Sequence, residues 1–341
     1  MALQVLWFIL WGLLWAVYFV VDGFDFGTGM LRPFLAKTET ERKISLESIG
    51  PVWNGNEVWL ITAGGATFAA FPRTYAYMFS FLYLPMLLIL FSLILRGVSI
   101  EFRNKDDGAR WRTAWDRLLA LTSFTAPLVL GLGFGNIFQG LAFDSTGYHG
   151  GFWPLFNIYG LLTAVLFVVL FLQHGALWMG WKTEGEVAAR ADKTASVLWF
   201  VVLVVAAVFL VLTGVFTKLY GNYLAHPGLF VVPLLAVIAL VLVKVLHAGS
   251  KPLAAFLASA GTILLVVATG LVGLFPNLIP SATDPASSLT IMNSSSSQYT
   301  LRLMAIVALI FVPIVVVYQL LVYRFFRART TAADVEEGGG Y

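Results

Sequence analysis

Residues 195–217 read ASVLWFVVLVVAAVFLVLTGVFT, with Lys193 just before, Lys218 just after and no charge between. As a helix rising about 1.5 Å per residue, this stretch matches the ~30 Å hydrocarbon core of a bilayer. Comparable runs recur along the 341 residues, at about 5–30, 50–71, 76–100, 118–141, 153–180, 229–247, 253–276 and 301–325. With 195–217 they predict an all-α, polytopic integral membrane protein of about nine transmembrane helices. Composition agrees. The chain is 59% hydrophobic and 11% charged, with a mean hydropathy of +0.86, where soluble domains carry roughly 25% charge. Lipid is the solvent that tolerates such a surface. Pro51, Pro72, Pro154, Pro252 and Pro276 mark helix boundaries, and Pro85, Pro127, Pro233 and Pro313 fall inside spans.

Charge sets the orientation. Of the 21 Lys and Arg, all but Arg73, Lys218 and Arg302 fall in the first, third, fifth and seventh loops and the tail, or at the helix ends beside them. The positive-inside rule then places the N-terminus outside and the C-terminus in the cytoplasm. The net charge of +3 is small, and no basic run points to nucleic acid. The absence of cysteine excludes thiolate metal sites, Fe–S clusters and disulfides. The N-terminal apolar run lacks a basic leader and is read as a retained span.

A faint repeat aligns VDGFDFGTGML (21–31) with QHGALWMGWK (173–182), Gly23 matching Gly175. It predicts two four-helix bundles plus one helix. The divisions are 1–145 for the first bundle, 146–280 for the second, 281–300 for an external Ser-rich loop, 301–327 for the ninth helix and 328–341 for a disordered cytoplasmic tail. Glycines 23, 27 and 29 allow close helix contact. The Asn293-Ser-Ser sequon in the Ser-rich loop carries little weight.

Ionisable residues inside spans are the informative ones, since each costs at least ~2.5–3.5 kcal/mol at mid-bilayer. Asp22 and Asp25 share a face of span 1, and two carboxylates that close resist joint ionisation. Asn54 and Glu57 begin span 2 at about the same depth. Arg96, with Glu101, ends span 3 and is placed to neutralise one acid. Three acids against one Arg exceed what a structural staple needs, which points to a proton or ion path. Among the histidines at 149, 174, 226 and 247, His174 alone lies in a span, and a hydrogen-bonded or solvent-facing imidazole near the cytoplasmic interface is the expected role rather than haem ligation. No metal-ligand cluster, P-loop or dinucleotide motif is expected.

The stretches DGFDFGTGML (22–31), TERK (40–43), PVWNGNEVWLITAGGATFAAFP (51–72), LRGVSIEFR (95–103), WDR (115–117), GFGNIFQG (133–140), the late FPNLIPSA and SSLTIMNSSSSQYTL, and VPIVVVYQ (312–319) together resemble subunit II of cytochrome bd-type quinol oxidases. The resemblance implies a haem-free subunit of a complex that oxidises quinol and reduces oxygen to water in the bacterial inner membrane. It also implies that two b-type haems and haem d sit in partner subunit I, that small single-helix subunits join, and that protons come from the cytoplasm. Residue by residue, it implies a structural quinone near Trp59, Arg96 and Asp25. It further implies a proton path in which Asn54 stands where some members carry Asp, leaving Glu57, then Asp25 or Asp22, as carriers. The loop after span 6 is shorter than in some relatives. The alternative reading from the acids alone is a proton- or cation-coupled secondary transporter. Transporters often carry inverted repeats, whereas the repeat here reads as parallel.

Overall fold

A computed structural model describes residues 1–336. The first crossing is made of α1 (Ala2–Val21) and α2 (Gly23–Leu35), separated at Asp22. Then come α3 (Glu39–Glu47), α4 (Trp53–Ala70), α5 (Pro72–Phe81) and α6 (Tyr83–Phe102), followed by α7 (Ala109–Gln139), α8 (Ile158–Lys182) and α9 (Gly185–Phe216). The short α10 (Tyr220–Ala225) leads into α11 (Val231–Ala248), α12 (Pro252–Leu274), α13 (Gln298–Phe325) and α14 (Ala332–Glu336). Among the described residues, 8 helical segments are long and apolar enough to cross a membrane.

The remaining expected span is α4, which carries Asn54, Asn56 and Glu57 and is correspondingly less apolar. It nonetheless runs alongside the first crossing. Asn56 meets Asp25 at one end, and Trp11 Nε1 donates to Thr67 Oγ1 at 2.8 Å toward the other. So α4 runs antiparallel to α1 and α2 through the same layer, and its 18 residues reach about 27 Å. The third span, expected as one helix, is broken at Leu82 into α5 and α6. Pro85 accounts for the break, because its ring lacks an N–H and crowds the carbonyl four residues back.

The helix α8 lies centrally, against α2, α7, α9 and α12. It meets α2 backbone to backbone. A Cβ on Gly27 would collide with the Phe171 carbonyl and lie 2.8 Å from Gly175 Cα, so these two glycines permit the crossing. By contrast, α13 stands at the edge with its most apolar stretch fully unburied. Val197, Val204, Val211 and Val215 of α9 are likewise exposed, a surface suited to lipid rather than water.

At the end opposite the basic loops, β1 (Phe143–Asp144) pairs with β2 (Gly147–Tyr148), and β3 (Asn277–Ile279) with β4 (Leu289–Thr290). The Ser-rich loop is tied down: Leu141 N donates to Pro280 O at 3.0 Å and Ser296 N to Ala70 O at 2.9 Å. The Asn293 side chain is itself engaged, donating to Ser288 O at 2.9 Å and accepting from Thr290 N at 2.8 Å.

The tail departs from the expected disorder over residues 328–336. Lys182 Nζ donates to the carbonyls of Phe326 and Ala328, Thr330 N donates to Lys182 O at 2.8 Å, and α14 packs on α3. A basic side chain at the end of a helix thus captures the returning chain. The last five residues of the expected tail, 337–341, lie outside the described residues.

Candidate functional site

The break between α1 and α2 presents Asp22, and one turn later Asp25, to the bundle interior. Both are essentially inaccessible to solvent. Arg96 of α6 reaches them from the side. Its Nη2 lies 2.5 Å from Asp22 Oδ1 and 2.6 Å from Glu57 Oε1 of α4, and its Nε donates to the same Glu57 oxygen at 3.1 Å. The guanidinium plane rests 4.1 Å from the centroid of the Phe26 ring, a cation–π contact in a desolvated setting. Charge-assisted bonds of this kind are the strong ones. The predicted meeting of Asp22, Glu57 and Arg96 therefore occurs. Asp25 joins through a neutral amide, since Asn56 Nδ2 donates to Asp25 Oδ2 at 2.7 Å.

The bond to Asp25 comes from Asn56 and not from Asn54, the amide the sequence pattern singles out. The structure turns Asn54 outward, where it is exposed and lines a groove of about 500 Å³ between α4 and α13. Two residues apart on a helix point to nearly opposite sides. The signal that separates them is the buried stripe Asn56, Trp59, Ala63, Thr67, Ala70, spaced by threes and fours, which includes Asn56 and skips Asn54.

The network continues onto α13, which sequence reasoning did not connect to the acids. Asn56 Oδ1 accepts from Tyr323 OH at 2.7 Å and from Gln319 Nε2 at 3.1 Å. Gln319 Oε1 in turn accepts from Trp59 Nε1 at 2.6 Å. Four buried polar atoms near the acids stand outside these hydrogen bonds: Asp25 Oδ1, Arg96 Nη1, and Asp22 Oδ2 and Tyr18 OH, whose side chains lie beside each other. Glu57 is the accessible member of the cluster, its side chain 22% exposed. It opens into a second groove of about 450 Å³ between α4 and α6, lined also by Trp53, Gly97 and Glu101.

The family described as "Cytochrome bd terminal oxidase subunit II" matches residues 3–326. The chain belongs to that family. It is 37% identical over 371 residues to "Cytochrome bd-I ubiquinol oxidase subunit 2" of Escherichia coli (strain K12), covering 98% of this chain and 97% of that one. It is 36% identical over 333 residues to "Cytochrome bd ubiquinol oxidase subunit 2" of Bacillus subtilis (strain 168), covering 97% of each. A chain of the solved bd oxidase from Geobacillus thermodenitrificans has the same fold, with a TM-score of 0.77 at 19% identity over 96% of this chain and 99% of that one. Membership in the bd oxidase subunit II family decides between an oxidoreductase subunit and a coupled transporter in favour of the former.

Several of the subunit II stretches do structural work at the basic end. Arg103 of LRGVSIEFR holds Glu39 Oε1 at 2.8 Å and Asp116 of WDR at 2.6 Å, and Arg32 also pairs with Asp116. Glu41 of TERK meets Arg190 Nη2 at 2.5 Å, while Arg190 Nε donates to Leu35 O at 2.7 Å. Burial alone would raise the Glu39 and Glu41 carboxyls, but the Arg103 and Arg190 guanidiniums hold both below the usual carboxylate range. This network clamps α2, α3, α6, α7 and α9 together at one end.

A haem takes its axial ligands from His, Met, Cys or Tyr, and both ring nitrogens of this chain's buried histidine are engaged. His174 Nδ1 is 3.1 Å from Ser259 Oγ, Nε2 is 3.1 Å from Val20 O, and the ring stacks on Phe256. His149 is engaged with Asp144 and Thr146, and His247 with Asp192 O. No group of three or more His, Cys, Asp or Glu among the described residues is placed to hold a metal ion. Of the trio expected near a quinone, Trp59 and Asp25 share one hydrogen-bond network through Gln319 and Asn56, while Arg96 belongs to the neighbouring one with Asp22 and Glu57, and their polar atoms are mostly committed to these partners. Of their donors only Arg96 Nη1 stands unengaged. For a quinone head group these three residues therefore leave Arg96 Nη1 as the free donor.

Proposed function

We propose that this subunit is the haem-free member of a bd-type quinol:oxygen oxidoreductase, and that it conducts protons from its basic end toward the oxygen-reducing site in subunit I. The basic end is cytoplasmic, with the N-terminus outside, as the distribution of Lys and Arg favours. Subunit I carries two b-type haems and haem d, which supply the electron transfer and oxygen chemistry when bound. Small single-helix subunits complete the assembly, and the chain keeps the arrangement of two four-helix bundles plus one helix.

The observation that carries the proton role is the graded exposure of three neighbouring acids. Glu57 opens into the groove it shares with Glu101, Arg96 ties Glu57 to Asp22, and Asp25 lies beyond them behind Asn56. A staple would need one acid for one arginine. Here two acids bond Arg96 and Asp25, one turn on, has only the neutral Asn56, so at least one proton has a place to sit inside the bundle. Glu57 collects the proton from the basic end, Arg96 holds Glu57 and Asp22 within reach of each other, and the two aspartates store it away from water. The neutral Asn54 takes no part in this path.

Purification of the tagged chain from native membranes, with mass spectrometry and a reduced-minus-oxidised visible spectrum, tests the assignment. A second large subunit with haem b and haem d bands is expected. A chain that purifies alone, stable and colourless, would overturn it.

A further inference from the structure

The amide of Asn56 has two orientations, and the hydrogen bonds around it select one. Its Oδ1 receives two donors, Tyr323 OH and Gln319 Nε2, so its Nδ2 must face Asp25. Turning Asn56 over would set its amino group against that of Gln319. Gln319 cannot turn over to compensate, because its amino group would then face the Trp59 indole, which only donates. Trp59 therefore fixes Gln319, Gln319 fixes Asn56, and Asn56 presents an N–H to one oxygen of Asp25.

Asp22 is treated in a parallel way. Arg96 engages Oδ1 and leaves Oδ2 buried outside that bond, while Asn56 engages Asp25 Oδ2 and leaves Oδ1 buried outside it. Each carboxyl has one oxygen committed as an acceptor and one outside those bonds, with the Tyr18 phenol beside Asp22. Buried polar atoms left outside such bonds call for an explanation, and here the two oxygens lie on neighbouring turns of one helix face.

We infer that Trp59 and Gln319 are positioning residues that decide which atom of Asp25 carries the mobile proton. Oδ2 is locked as acceptor, and the O–H bond forms on Oδ1. Transfer from Asp22 to Asp25 then breaks the O–H bond on Asp22 Oδ2 and makes one on Asp25 Oδ1, directly or through a water, with no electron moved. This inference rests on the reading of the two aspartates as proton carriers.

Redox-induced infrared difference spectra of the purified holo-oxidase test it. The carboxylic acid C=O band lost in Asp25→Asn identifies Asp25. With Asn56 donating to Oδ2, that carbonyl is hydrogen-bonded. In Trp59→Phe, which removes a single N–H, and in Gln319→Leu, Asn56 is free to turn, and the band should move to higher wavenumber. Turnover should fall about tenfold at unchanged haem content, the order expected when a reacting group is mispositioned. Tyr323→Phe leaves Gln319 to orient Asn56 and should leave the band in place. A band unmoved in Trp59→Phe and Gln319→Leu overturns the inference, as does the lack of any Asp25-dependent band or an equal shift in Tyr323→Phe. A shifted band with wild-type oxygen consumption supports the orienting chain and instead refutes the proton path on which it rests.

Discussion

Arg96 is the one cation bonded to the acid cluster, so its removal has a consequence whose size follows from the geometry. In Arg96→Met three donor contacts vanish, at 2.5, 2.6 and 3.1 Å, together with the stacking on Phe26. Glu57 can recover part of its hydration because its side chain is 22% exposed, whereas that of Asp22 is at 0% and cannot. Breaking a buried ion pair from one side costs about 3–5 kcal/mol. That corresponds to a loss of roughly two to four orders of magnitude in the folding equilibrium. The assay is the thermal midpoint and haem content of the complex purified in detergent. Arg96→Lys should fall between, because a point charge cannot hold both carboxylates as the planar guanidinium does. The triple variant Arg96→Met, Asp22→Asn, Glu57→Gln also removes both carboxylates that Arg96 bonds and should recover most of the lost stability, while turnover stays low. The reasoning is refuted if Arg96→Met is as stable as the wild type, or if the triple variant is no more stable than the single one.

Glu57→Ala should slow oxygen consumption at least about tenfold with unchanged haem bands, measured side by side on the same membranes. His174→Leu should lower stability by about 1–3 kcal/mol through the loss of two buried hydrogen bonds, with no change in the visible spectrum. A change in haem content in proportion to that variant's yield loss is the limit allowed. Gly27→Val should prevent assembly, since the new side chain meets the α8 backbone, whereas Gly64→Ala, which faces open space, should be tolerated; membrane yield distinguishes them. The depressed Glu39 and Glu41 carboxyls contribute stability at neutral pH that is lost as pH falls through and below the ordinary carboxylate range near ~4. Thermal midpoints should therefore be flat above that range and decline beneath it, and the decline should weaken in Glu39→Gln.

Hydropathy made the crossing helices legible because lipid leaves an apolar segment few alternatives. The cost of charge in a membrane made Asp22, Asp25, Glu57 and Arg96 stand out. What hydropathy cannot report is helix rotation: Asn54 and Asn56 are equally polar, and the difference between them is which side of α4 faces α1. Gln319 and Tyr323 were overlooked because a neutral amide and a phenol near a helix end are cheap enough to need no explanation, and their partner lies more than 260 positions away. The break at Leu82 was foreshadowed by Pro85, but a proline inside a span is compatible with either a kink or a continuous helix. The docking of residues 328–336 depends on Lys182 at the far end of α8, a long-range contact that composition reads as a polar tail.

The central claim is that protons reach the oxygen chemistry through Glu57 and the two aspartates. It is tested most directly by following proton uptake and oxygen consumption together in vesicles containing the reconstituted complex, wild type against Glu57→Gln. The account predicts that Glu57→Gln retains its haem spectrum but loses uptake and turnover in parallel. Uptake and turnover equal to the wild type in an intact Glu57→Gln complex would contradict it.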